Sequence, residues 1–129
     1  MTQQTANQGY IYTSISINQN LNMMKNSKLI EALNNCVAHC NYCADACLDS
    51  DDIKMMVACI RTDRACAEVC SATAKLLAAN YEDVKAMVEY CHSVCKKCAD
   101  ECEGHEHQHC KDCAEACRKC AEACEAYLS

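Results

Sequence analysis

The stretch CVAHCNYCADAC at residues 36–47 returns as CHSVCKKCADEC at residues 91–102, and both space their cysteines as Cys-x3-Cys-x2-Cys-x3-Cys. The same steps run through Cys110, Cys113, Cys117, Cys120 and Cys124. At about 100° per residue, alternating steps of four and three hold each set within an arc of roughly 60–80° on a helix. Between these runs, Cys59, Cys66 and Cys70 fit the same spacing if Asp63 occupies the missing place. Steps of three and four are also the seam positions of packed helices. The cysteines are therefore predicted to line the inside of a helical bundle.

Composition outside these stretches agrees. The 129 residues hold 16 Cys against 19 Leu, Ile and Val together, with no Phe and no Trp, so an ordinary aliphatic core is missing. Free Cys is a small and frequently buried hydrophobe, and it can take the place of the absent side chains. Residues 1–22 form a polar N-terminal tail without charged side chains, and residues 23–129, free of Pro and rich in Ala, Lys and Glu, form the bundle domain. Asp49, Ser50, Asp51 and Asp52 suit the start of a second helix, Asn80 with Asp83 the start of a third, and Gly104 a break before the fourth. The expected helices lie near 24–48, 51–79, 81–103 and 107–128. Their short connections favour an all-α, antiparallel up-down-up-down four-helix bundle with a Cys-lined lumen.

Several classes of function are excluded. No stretch is long and apolar enough to span a membrane. No apolar segment precedes the first basic residue, Lys25, so a secretory signal is not expected and the thiols belong in the reducing cytoplasm. Disulfides are disfavoured there, and helical neighbours at i+3 or i+4 suit disulfide geometry poorly. A net charge of −6 without Phe or Trp speaks against nucleic acid as a partner. No nucleophile elbow or phosphate loop points to an enzyme.

Sixteen thiols in register point to metal: Cys36, Cys40, Cys43, Cys47, Cys59, Cys66, Cys70, Cys91, Cys95, Cys98, Cys102, Cys110, Cys113, Cys117, Cys120 and Cys124. Zinc would fill about four separate sites of four thiolates, each with a surplus of roughly two negative charges in a narrow lumen. Iron–sulfur clusters draw Cys from wrapping loops. Cu(I) is monovalent and soft, and bridging thiolates let copper approach one ion per sulfur, about 16 in all, near neutrality. The alternatives are a zinc-sequestering thiolate protein and a thiol redox sensor, the latter calling for exposed, low-pKa Cys.

The Cys-lined four-helix pattern with repeated C-x3-C-x2-C-x3-C resembles the bacterial copper storage protein family over roughly residues 24–128. That resemblance implies storage of many Cu(I) ions. The lack of a signal makes the chain similar to the cytosolic branch, and the resemblance implies a homotetramer of bundles.

Antiparallel order puts the 48–51 turn and the 103–109 loop at one end. His105, His107 and His109 gather there, with Met55 four residues before Cys59 and so expected in the luminal register, as a point of copper ingress or accessory binding. At the other end the registers continue as Leu29, Leu33, Thr73, Leu77, Val84, Met87, Tyr127 and Leu128, an apolar plug. Asp63 is expected to pair with a cation such as Arg64 or to roll to the lumen's edge, and its hard oxygens predict a gap in copper occupancy. His39 and His92 read as surface or packing residues, His39 being nearer the stripe. Outward Tyr42, Val57, Ile60, Val69, Tyr90 and Val94 make a homo-oligomer plausible.

Overall fold

The computed structural model describes residues 26–129. The polar stretch 1–22 lies outside the described residues. Four helices follow one another: α1 (Ser27–Cys47), α2 (Ile53–Ala78), α3 (Lys85–Glu103) and α4 (Gln108–Leu128). Each packs on two neighbours, α1 on α2, α2 on α3, α3 on α4 and α4 back on α1. The short connections reverse the chain each time, so the ring is an antiparallel four-helix bundle, as the sequence predicts. No described helix is long and apolar enough to cross a membrane.

The ends of the helices have local causes. Leu48, Asp49 and Ser50 close α1 through N–H bonds to the carbonyls of Asp45, Ala46 and Cys47 at 3.1, 3.1 and 3.2 Å. Asp49, Asp51 and Asp52 then lie beside the positive end of α2, which favours negative charge. Asn80 does something other than expected. Instead of opening α3 it follows the end of α2 with a left-handed φ of 55°. Its N–H donates to Leu77 O and that of Tyr81 to Leu76 O, both at 3.0 Å, the paired closure of a Schellman motif. Asn tolerates both the left-handed bend and the N-cap, so residue type alone does not distinguish them. As a result α3 starts at Lys85, later than the 81 expected.

One rule places the core. Steps of four and three, continued without interruption, run through Leu29, Leu33 and Cys36 in α1, Cys70, Thr73 and Leu77 in α2, and Val84, Val88 and Cys91 on the third segment, and all of these are buried. Val88, rather than the expected Met87, is the fully buried residue below Cys91, and Met87, Tyr127 and Leu128 pack against the core half-buried. The Thr73 hydroxyl donates to Val69 O at 2.7 Å, which satisfies it inside an apolar layer. This end of the bundle is closed by aliphatic packing.

Leu33 is fully buried in that plug. Leu33→Ala is expected to cost about 2–5 kcal/mol in the metal-free, reduced protein. Urea unfolding followed by helical circular dichroism measures it, and a loss below about 1 kcal/mol would contradict a plug packed to core density.

Candidate metal-binding core

All sixteen Cys side chains have zero exposure and all are free thiols. Every helix contributes an inward stripe, because the four-three spacing keeps one face of each helix turned to the axis. The sulfurs stand in tiers. Nearest the loop end, Cys43, Cys47, Cys59 and Cys110 form one group of four whose Sγ atoms all lie within 4.8 Å of one another. Deeper groups are Cys40, Cys98, Cys113 and Cys117, then Cys36, Cys40, Cys66 and Cys117, then Cys36, Cys66, Cys70 and Cys95, and then Cys70, Cys91, Cys95 and Cys120. Cys124 lies on the α4 register one step beyond Cys120.

The groups overlap. Cys40 and Cys117 serve at least two tiers, and so do Cys36 and Cys66, and Cys70 and Cys95. Through the shared sulfurs short contacts run on along the column: Cys36 to Cys66 3.7 Å, Cys66 to Cys70 3.8 Å, Cys70 to Cys95 3.5 Å. Around a single ion with metal–sulfur bonds of about 2.3 Å, neighbouring sulfurs stand about 3.8 Å apart in a tetrahedron. The column therefore already has the spacing that metal requires. Because a sulfur belongs to two groups at once, filling both demands that it bridge two ions.

Asp63 faces the lumen with no exposed surface. It does not pair with Arg64, which is exposed on the adjacent position of the helix, about 100° away. Thiols satisfy it instead: Cys98, Cys102 and Cys113 donate to Oδ1 at 3.2, 3.3 and 3.3 Å, and Cys59 to Oδ2 at 3.8 Å. Burial, followed by the sulfurs of Cys113 and Cys98, pushes its carboxyl up to about 12, so it is protonated at neutral pH. One carboxyl group thus gathers thiols from three helices between the outermost tier and the deeper ones.

The loop end carries the remaining donors. His109 Nδ1 lies 3.4 Å from Cys43 Sγ and 3.5 Å from Cys110 Sγ. His107 stacks on His109 with ring centroids 5.2 Å apart and planes 8° from parallel. His105 turns aside to Glu101, Nε2 to Oε2 2.9 Å. Of the three histidines, only His109 touches thiols. The neighbouring sulfurs of Cys102 and Cys59, with His109, pull the Cys43 thiol below its ordinary range, against the raising effect of Cys113 and burial. Burial raises Cys47 and Cys110. His109 gives this tier a nitrogen donor beside its sulfurs in addition to the thiols themselves.

The luminal position expected for Met55 belongs to Met56. Met55 is 64 % exposed, and Met56, 2 % exposed, lies three residues before Cys59. Alternation supplies the reason: a step of four from Asp63 to Cys59 must be followed by a step of three. Glu101, the partner of His105, carries no motif in the sequence beyond its i,i+4 spacing. His39 and His92 are half-buried on the outer surface, His92 Nε2 lying 3.8 Å from Glu125.

A sequence profile of the copper storage proteins matches residues 22–129. The chain belongs to the copper storage protein family. The copper storage protein Ccsp of Streptomyces lividans, in a structure loaded with 10 copper equivalents, is 42 % identical with a TM-score of 0.76, over 79 % of this chain and 82 % of that one. The Cu(I)-bound copper storage protein BsCsp3 is 35 % identical with a TM-score of 0.77, over 80 % of this chain and 97 % of that one. A cytosolic copper storage protein of Streptomyces lividans, in a structure with five coppers, is 39 % identical with a TM-score of 0.76, over 86 % and 96 % of the two chains. In this copper storage protein, sixteen buried thiols line the interior of the bundle.

Asp63 also gives the metal-free copper storage bundle a pH signature. The unfolded chain ionises this carboxyl near pH 4, whereas the folded chain keeps it protonated to about 12. Between those values the folded state holds the extra proton, so its contribution to stability falls as pH rises, by about 1.4 kcal/mol per pH unit. Asp63→Asn removes that slope, so its stability relative to the parent should grow from about pH 5 to about pH 8 in urea titrations under reductant. Parallel slopes for the two proteins would contradict a buried, protonated Asp63.

Proposed function

We propose that this chain stores Cu(I) as a multinuclear thiolate assembly inside the bundle, with a capacity of order one copper per Cys, about 16. The overlap of the thiol groups carries this reading. Four separate zinc sites would need sixteen sulfurs divided into four private sets, whereas Cys36, Cys40, Cys66, Cys70, Cys95 and Cys117 are each shared between at least two. Sharing suits an ion that accepts bridging thiolates at low coordination number and brings a single charge per sulfur. A redox sensor is disfavoured because no Cys is exposed to an oxidant. Storage rather than catalysis follows from capacity. The storage domain is assigned to residues 23–129, and 1–22 to a separate tail.

Copper enters at the His end. There Cys43, Cys47, Cys59 and Cys110 form the outermost tier, His109 touches two of them, and the opposite end is filled by Leu33, Val88 and Leu77. Met55 contributes a thioether on the outer rim rather than in the lumen. Asp63, a hard donor, leaves a gap in copper occupancy between the outer tier and the deeper column. The likeness to a Streptomyces lividans protein described as cytosolic supports a cytoplasmic location. A homotetramer is the assembly implied by the resemblance.

Titration with Cu(I) against a competing chelator, with the metal-to-protein ratio measured, is expected to saturate well above ten ions with little change in helix content. Saturation near four ions, with zinc preferred, would overturn the reading. Replacing His105, His107 and His109 by Ala is expected to slow loading about tenfold, the lower range of what a lost partner costs at a metal site, while capacity stays the same. Unchanged rate and capacity would remove the histidines from the loading route.

A further inference from the structure

The large apolar side chains that the described residues leave exposed are distributed unevenly. Apart from three tyrosines, they are Leu48, Ile53, Met55 and Val57, all within ten residues of one another around the α1–α2 turn. Leu48 is 52 % exposed and Ile53 39 %. Leu48 directly follows Cys47, and Met55 lies one turn before Cys59, so the patch adjoins the outermost thiol tier. Asp45, Asp49, Asp51 and Asp52 surround it, all exposed and none in an ion pair among the described residues, with Lys54 the one basic side chain in this stretch.

The charge extends across the opening. Residues 45–56 and 98–112 carry nine acidic side chains against Lys54 and Lys111, a balance of −7, when the whole chain carries −6. Arg118 offsets one of these by pairing with Asp100 and Glu103 at 3.1 and 2.7 Å. The molecule is therefore strongly negative at one end and close to neutral elsewhere. An apolar centre within a charged rim is the anatomy of a protein interface. A second copy meeting this patch with its own would set like charges against each other, which costs affinity.

We propose that the acidic, apolar rim of the open end is a docking face for a Cu(I)-carrying protein whose copper-bearing surface is basic and partly apolar. Docking brings the carried ion beside Met55 and the outer thiols. Cu(I) leaves two sulfurs of the carrier for two sulfurs of the outer tier and stays Cu(I) throughout. The protons released from the accepting thiols pass to the sulfurs left behind, so charge balances without an oxidant or reductant. The proposal rests on copper loading through this end.

The test compares two Cys-x-x-Cys peptides, one flanked by Lys and one by Glu, each preloaded with one equivalent of Cu(I), as donors to the intact chain under anaerobic conditions. The Lys peptide is expected to transfer copper at least about tenfold faster at low salt, and the difference should vanish near 1 M salt, where the Debye length is about 3 Å. Combined Asp49→Asn, Asp51→Asn and Asp52→Asn should remove most of the preference, and Leu48→Ser with Ile53→Ser should slow the Lys peptide alone. Cu(I) supplied as its acetonitrile complex should fill all these variants to the same level. Equal rates for the two peptides would overturn the docking face, and so would a change of oligomeric state in Leu48→Ser with Ile53→Ser, which would assign the patch to a second copy. Failure of the acetonitrile complex to load the parent protein would overturn storage itself, a separate result.

Discussion

Helices in a bundle present inward one residue in each alternating step of three and four, and whatever stands there must both fill the space and tolerate its dryness. Here those positions hold thiols, with zero exposure at every Cys. A thiol is small and weakly polar, so it packs as a hydrophobe would and leaves little hydrogen-bonding demand behind. Deprotonated, the same atom is a soft metal ligand. The fold and the chemistry consequently rest on the same atoms. Without metal the thiols serve as the core, and in the proposed storage role the same sulfurs hold the cargo.

That dual role explains why the two ends differ. At the plug the register continues in Leu33, Val88 and Leu77, residues that give burial energy without ligation. At the opposite end the register gives way to the 48–52 and 104–107 connections, with His109 resting against the outer sulfurs. The middle holds one exception, Asp63. A carboxylate in such a place would be costly alone; protonated and accepting from three thiols within 3.3 Å, it is satisfied without a cation.

Much of this was legible in the sequence because the periodic signal was strong. The four helices, the inward face of each and the whole thiol set follow from spacing. The misplacements share a cause in arithmetic. Met55 and Met87 were reached by a step of four where the alternation required three, and the structure buries Met56 and Val88 instead. Asn80 was ambiguous for a chemical reason, since its amide suits a helix start and its backbone suits a left-handed stop, and only the bonds from Asn80 and Tyr81 back to Leu77 and Leu76 settle the matter. Neither the satisfaction of Asp63 nor the pairing of His105 with Glu101 had a linear signature: the first depends on sulfurs from three helices, the second on a side chain in the last turn of α3.

The overlap of the thiol tiers bears on how a full column is emptied. On the proposed route through the loop end, and with sulfurs such as Cys40 and Cys117 held in common by successive tiers, an ion near the plug would leave only after those above it had vacated both the path and the shared ligands. On that route the bundle would work as a last-in, first-out stack. Copper taken up earliest would become a deep reserve, and the most recent arrivals in the outer tier would form the exchangeable pool.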